Sequence, residues 1–382
     1  MYKKMLMTPG PTPIPEKVNQ RMAEGMIGHR SGDFTELMRR IKPKIKDVFG
    51  TKDEVAILSS SGTSSLEAAM VNLTAPDESV VVIVSGAFGA RFEAIAKTYP
   101  YNVHTYEVEW GEAADPDDFK KFLSQLDNVK VVVSQACETS TAVLHPVTEL
   151  GKIVKDYDTD ALFIVDGVSS VGGMKFNMEE SKIDCLISGS QKALMLPPGL
   201  AFVAMNQNAR QKGRDNDIPR FYLDLNQYFD SLDKDTTPFT PAVSLIQGLE
   251  AVLDSIAEEG LENVFERHGR MRDMLRAGLE ALDFELLVEE QYASPTVTAF
   301  KSSSDELSII KDELKNNFGI TIAGGQKHLK GQILRIGHMG YMFPADVILV
   351  LSALEGIVSK HRQKNYYGKA ITKAQEVFFN DL

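Results

Sequence analysis

Seven short apolar runs, at 55–58, 80–84, 103–108, 129–133, 161–165, 185–187 and 200–205, recur along the chain with helical patterns between them. A run such as Ala161-Leu162-Phe163-Ile164-Val165 has no polar alternation, so it shows no face to water and reads as a strand buried on both sides. Strands of this kind alternating with helices build a mostly parallel sheet wound on both faces, an α/β fold. In such a sheet ligands lie outside the carboxyl ends of the strands, so the residues just after each run are where chemistry is expected.

Two of those positions carry ionisable groups. Asp166 follows the fifth run, and Lys192 follows the sixth after the small residues Ser188, Gly189 and Ser190 and then Gln191. A lysine at the edge of a core loses hydration of its charged form, its pKa falls, and the neutral amine can condense with a carbonyl. An acid and a lysine on successive strand ends are the pair a pyridoxal phosphate enzyme needs, the acid for the pyridine nitrogen and the amine for the aldehyde. Taken singly, Lys192 also reads as a surface lysine and Asp166 as a helix N-cap. The first run leads into Ser59-Ser60-Ser61-Gly62-Thr63-Ser64-Ser65 and then a helical stretch, with Ser64 and Glu67 at capping-box spacing. Small residues at a helix start bare backbone N–H groups to an anion, which makes a phosphate cup. No Gly-Lys-Ser/Thr and no GxGxxG accompanies it, so neither a P-loop nor a dinucleotide fingerprint is present.

These segments, with Thr8-Pro9-Gly10-Pro11-Thr12-Pro13, Ile27-Gly28-His29-Arg30-Ser31, Glu138-Thr139-Ser140-Thr141, Val165-Asp166-Gly167-Val168-Ser169-Ser170 and Leu334-Arg335-Ile336-Gly337, occur in order. The chain resembles the class V, fold-type I pyridoxal phosphate aminotransferases of the alanine-glyoxylate and serine-pyruvate family over nearly its whole length. The resemblance implies a large domain at 21–255 built on a seven-stranded, mostly parallel sheet, a small α+β domain at 256–382, and an arm at 1–20 lining the active site. It implies a pyridoxal 5'-phosphate cofactor and a homodimer with shared active sites. The implied reaction moves an amino group from a small amino acid, alanine or serine, to a 2-oxo acid such as glyoxylate or pyruvate. An aspartate or phosphoserine-type aminotransferase is the alternative if His29 and Arg30 reach a second anionic group; a non-catalytic hydrogenase-associated subunit is another.

Among the residues, the resemblance sets Ser61, Gly62, Thr63, Val168 and Gln191 around the cofactor and Phe88, in Gly86-Ala87-Phe88-Gly89, against the pyridine. Thr139 is implied to meet the phenolic oxygen. Thr240 is implied to cross to the neighbouring subunit's phosphate, and some family members have a tyrosine where Thr237 stands. Gly10 belongs to a loop that borders the substrate site in the family. Arg335 lies in a strand whose neighbours Leu334 and Ile336 point the other way, and an inward arginine needs an anion, either a substrate α-carboxylate or a structural acid.

The remaining signals narrow the class of protein. A net charge of −12 and a sequence pI near 5.2 argue against nucleic acid or an acidic membrane as partner. The start Met1-Tyr2-Lys3-Lys4 reads as no signal peptide, and no run has the length of a membrane span. Cys137 and Cys185 suggest no disulfide framework, which makes the cytoplasm the default. Cys137 reads as a small packed residue, and His145 has no partner at metal-ligand spacing. The polar stretch 206–235, with Phe221, Tyr222, Tyr228 and Phe229, reads as an interface.

Overall fold

The computed structural model describes residues 4–380. The first three positions of the expected arm, with the reading that no signal peptide starts there, and the last two of the chain lie outside them.

The seven runs form one sheet: β1 (Val55–Leu58), β2 (Ser79–Val84), β3 (Asn102–Glu107), β4 (Val129–Gln135), β5 (Leu162–Asp166), β6 (Cys185–Gly189) and β7 (Ala201–Met205). Their spatial order is β1-β7-β6-β5-β4-β2-β3. Only β7 runs against its neighbours, β1 and β6; the other pairings are parallel. Every residue of β1, β5, β6 and β7 is buried, as their apolar composition requires. The carboxyl ends of the six co-directional strands therefore open on one edge of the sheet, followed by Ser59, Ser85, Gln135, Asp166 and the turn to Lys192.

Helices cover both faces. The segment Gly32–Phe49 starts where the Ser31 side chain accepts from the Phe34 N–H, and it buries Phe34, Leu37, Met38, Ile41, Ile45 and Val48 against the sheet. The two helices that leave the active edge are α1 (Gly62–Leu73) and α2 (Ala87–Ala96). Further on, α3 (Val243–Glu259) and α4 (Leu261–Ala281) are broken apart at Gly260, whose φ of +89° only glycine adopts freely.

The later part of the chain makes an antiparallel four-stranded sheet from β8 (Glu285–Leu286), β9 (Val297–Lys301), β10 (Ala323–Gly324) and β11 (Ile333–Gly337), in the order β8-β9-β11-β10. Its apolar cluster, including Met271, Phe300, Leu334, Ile336 and Leu351, also takes in Met7. The N-terminal segment belongs with it, since Met5–Leu6 pairs in parallel with Ile320–Thr321. A third cluster joins Cys137, Val143 and Ala193 to Val297, Ala299 and Met339, so the two sheets meet behind the active edge.

Candidate active site

Asp166 and Lys192 come together as adjacent strand ends. Asp166 pairs in register with Ile187, and Lys192 lies three residues beyond β6. The Val168 N–H donates to Asp166 Oδ1 at 2.8 Å, and no cation is bonded to the carboxylate among the described residues. Burial pushes this acid up to about 6, with Lys192 and Arg91 opposing the shift. Lys192 is only 7% exposed, and its Nζ donates to the Pro9 carbonyl. Burial lowers its pKa to about 8, Asp166 working in the other direction and Arg335 and Arg91 in the same one. Gly10 passes directly over it with φ +98°; a Cβ there would stand 2.5 Å from Lys192 Cδ and 2.7 Å from Nζ. The proline-glycine loop thus closes one side of the amine, and only glycine fits.

The anion cup is built at the start of α1. Ser61 is the N-cap, and no side chain caps the helix. The expected capping box is absent: Ser64 lies inside the first turn and donates to the Ser61 carbonyl, while Glu67 accepts from the Tyr99 hydroxyl. The first N–H groups at Gly62 and Thr63 are left without an internal partner by helix geometry, the arrangement that receives a phosphate. Around them, Gln191 Oε1 and Ser188 Oγ are buried with no hydrogen-bond partner. A Cβ on Gly189 would come within 3.5 Å of Gly62 Cα, and one on Gly62 within 3.3 Å of Val168, so these backbones are brought close around a small space.

Phe88 is half-buried in the first turn of α2, where the buried Glu138 holds it: its carboxylate accepts from the N–H groups of Phe88, Gly89 and Ser140. Burial raises the Glu138 pKa and these donors counter it. Thr139 beside it shares a hydrogen bond with the Ser169 hydroxyl. Arg335 is buried and reaches across from β11, with Nε and Nη2 on the Gly324 carbonyl and Nη1 on the Thr139 carbonyl at 2.8 Å. No carboxylate pairs with it among the described residues, so the structural acid weighed from the sequence is not there. Two carbonyls aim the guanidinium and neither neutralises it.

His29, Arg30 and Thr240 lie at the rim. His29 Nε2 and Thr240 Oγ1 are 3.3 Å apart, and Thr240 is exposed. Arg30, expected to clamp a substrate, instead donates to Thr236 Oγ1 and to the carbonyls of Thr237 and Pro238. Its fork braces the 236–238 turn. The stretch 206–235 forms two helices, Gln207–Asp215 and Leu225–Leu232, with Phe221 73% exposed between them.

Other candidates are structural. Cys137 is buried, donates to Ser294 Oγ, and is pushed up to about 12 by burial. His145 is buried between Ser85 Oγ and the Ala114 N–H and is held neutral, lowered to about 4. Among the described residues no cluster of three or more His, Cys, Asp or Glu could hold a metal ion, and no helix is long and apolar enough to cross a membrane. The sequence reading passed over Arg91, whose guanidinium stands 4.9 Å from the Phe88 ring centroid; the three-residue spacing on a helix was the available signal. It also passed over Glu138 as a brace, though an acid five residues after the strand-like 129–133 region, beside Cys137, called for a reason.

Residues 5–347 match the family described as aminotransferase class V. An uncharacterized aminotransferase of Methanocaldococcus jannaschii is 42% identical over 358 residues, 92% of each chain. A protein named soluble hydrogenase, small subunit, from Synechococcus is 39% identical over 98% of each chain. The crystal structure of ureidoglycine-glyoxylate aminotransferase from Bacillus subtilis superposes with a TM-score of 0.92 at 31% identity, covering 100% of this chain and 99% of that one.

Proposed function

This chain belongs to the class V aminotransferase family and is a pyridoxal phosphate-dependent transaminase, and from that premise we propose that it is a glyoxylate-type transaminase, taking the amino group of alanine or serine to glyoxylate or pyruvate. The observation that carries the reading is the pair Asp166 and Lys192: two ionisable groups buried together at neighbouring strand ends, each with its charge state disturbed by burial. Several relatives are named as glyoxylate aminotransferases, with ureidoglycine, aspartate or serine as donor.

The residues present fit the cofactor. The uncapped start of α1 with Ser61, Gly62 and Thr63, and the amide N–H of Gln191, would hold its phosphate; Asp166 would hold its ring nitrogen, Val168 and Phe88 its faces, and Thr139 its phenolic oxygen. When bound, pyridoxal phosphate supplies an aldehyde that condenses with amines and a ring that accepts the electron pair left at the substrate's α-carbon. In this reading Arg335 binds the substrate α-carboxylate through its fork, already aimed by Gly324 and Thr139. Lys192 Nζ, lowered enough to be neutral for part of the time near pH 8, takes the α-proton and returns it. Asp166 keeps the ring nitrogen protonated, and that cation would relieve the cost of its own burial. The Pro9-Gly10 loop keeps water from the amine.

We further read the chain as a homodimer in which Thr240 serves the partner's phosphate. The exposed Phe221 and Tyr222, whose ring centroids lie 5.4 and 5.2 Å from that of the half-buried Phe239, supply an apolar surface beside it. The test is Lys192→Ala: near-visible absorbance and alanine-glyoxylate exchange should disappear together, exchange by on the order of 10⁴-fold or more. Retention of both would end the assignment. A partner subunit of a hydrogenase would need no cofactor, so a purified wild-type chain that keeps no near-visible absorbance once added pyridoxal phosphate has been dialysed away would favour that reading.

A further inference from the structure

We propose that the cleft between α2 and the turn at 325–330 is a second anion site, which takes the distal carboxylate of a dicarboxylic amino or 2-oxo acid. It rests on the transaminase reading above and extends the substrate class beyond alanine and serine. The cleft encloses about 480 Å³, with Arg91 among small residues on the α2 wall and Lys327 and Lys330 on the other. Each wall adjoins a residue of the site. On the α2 wall, Ala87 and Ala90 flank Phe88 in sequence, and the Phe88 ring centroid lies 4.9 Å from the Arg91 guanidinium carbon. The other wall begins at Gly325, next in sequence to Gly324, whose carbonyl aims Arg335.

Three cations thus face one concavity, and among the described residues no ion pair or hydrogen bond joins any of their side chains to an acid. In a chain of net charge −12 that is a local reversal of sign. All three are exposed; like charges held around one concave surface repel one another, and an anion in the middle turns that repulsion into attraction. The Arg91 charge is also felt at Asp166 and Lys192, which ties the cleft to the reacting edge.

The lysines sit on a braced turn. Trp110 packs on His328 with centroids 4.1 Å apart, a Cβ on Gly325 would meet the Leu329 carbonyl oxygen at 2.0 Å, and Lys327 holds a left-handed φ of +51°. Arg91 is steadied by the Phe88 ring, which leaves its N–H edge for a ligand. The proposal sets one carboxylate of the diacid on Arg335 and the other toward this cleft, whereas Arg30 is engaged by carbonyls.

The probes are succinate and butyrate, matched in chain length and differing by one carboxylate, titrated calorimetrically into the pyridoxal phosphate-loaded protein at low ionic strength. Succinate should bind about tenfold more tightly, and the preference should shrink to about threefold or less in Lys327→Ala/Lys330→Ala and in Arg91→Ala. With glyoxylate as acceptor, the ratio of kcat/KM for aspartate over alanine should fall about tenfold in the same variants, through KM. Equal binding of the two probes by the wild type, or a preference that survives in both variants, overturns the proposal. O-phosphoserine binding tenfold tighter than succinate, lost in the variants, would overturn the carboxylate assignment in favour of a phosphate site. Absence of alanine-glyoxylate exchange in the wild type counts against the transaminase reading, while the succinate comparison is read without turnover.

Discussion

The strand-end wall of the site and its outer rim are finished to different degrees. On the wall, Asp166, Lys192, Ser188 and Arg335 are all buried, and Ser188 Oγ and the nearby Gln191 Oε1 have no hydrogen-bond partner. At the rim, Thr240 is exposed, His29 meets it at 3.3 Å, and Arg30 is engaged by backbone carbonyls. The difference teaches where each kind of free energy is stored. The wall holds desolvated charge that a bound group would relieve; the rim holds exposed surface that the proposed homodimer would cover.

Asp166→Asn probes the wall most severely. Turnover should drop on the order of 10³-fold, because the ring nitrogen loses its counter-charge. Stability of the cofactor-free chain should move the other way. The folded acid titrates near 6, above its ordinary 3.8, so between these values the folded chain holds a proton that the unfolded chain has released. The acid therefore weakens the fold progressively as pH rises through that window. The amide should stabilise the cofactor-free protein above pH 6 by up to about 3 kcal/mol and change nothing below pH 3. Denaturant melts at pH 3 and pH 8 check the sign; equal effects at both would show that the wall stores no charge.

Arg335→Lys keeps the charge and loses the fork. KM for alanine should rise about 10- to 100-fold with a smaller change in kcat. The rim responds through assembly. Phe221→Asp should raise the dimer dissociation constant by about 30-fold, read by sedimentation, with activity falling in step with the monomer fraction. A variant that is monomeric and fully active would show the rim to be complete in one chain. Arg30→Ala is the mildest, weakening cofactor retention by about fivefold through the loosened 236–238 turn.

The same contrast governs what could be read from the sequence. The wall was legible because burial on both faces writes itself as unbroken apolar runs, and all seven expected strands fall within about two residues of their positions. Arg335 was legible through strand parity: Leu334 and Ile336 join the apolar cluster while the arginine between them does not. Strand direction was not, since Ala201–Met205 reads like its neighbours yet runs against them. Periodicity fixes which face is apolar and says nothing of polarity along the chain. The Ser64 and Glu67 spacing misled because local capping competes with a helix that begins two residues earlier. The helix Lys369–Asn380 escaped notice, as only Ala370 and Ala374 of it are fully buried. Arg91, Lys327 and Lys330 lie far apart in sequence and meet only in the fold, so no spacing could have announced their cleft.

Thr139 is bonded twice, its backbone carbonyl to Arg335 and its side-chain hydroxyl to Ser169. A single residue therefore spans the gap between the arginine of one sheet and the loop of the other. On the proposed reading that makes it a gauge block, fixing how many carbons fit between a carboxylate held by Arg335 and the amine at Lys192. β-Alanine, one methylene too long for that interval, should be refused where alanine is accepted.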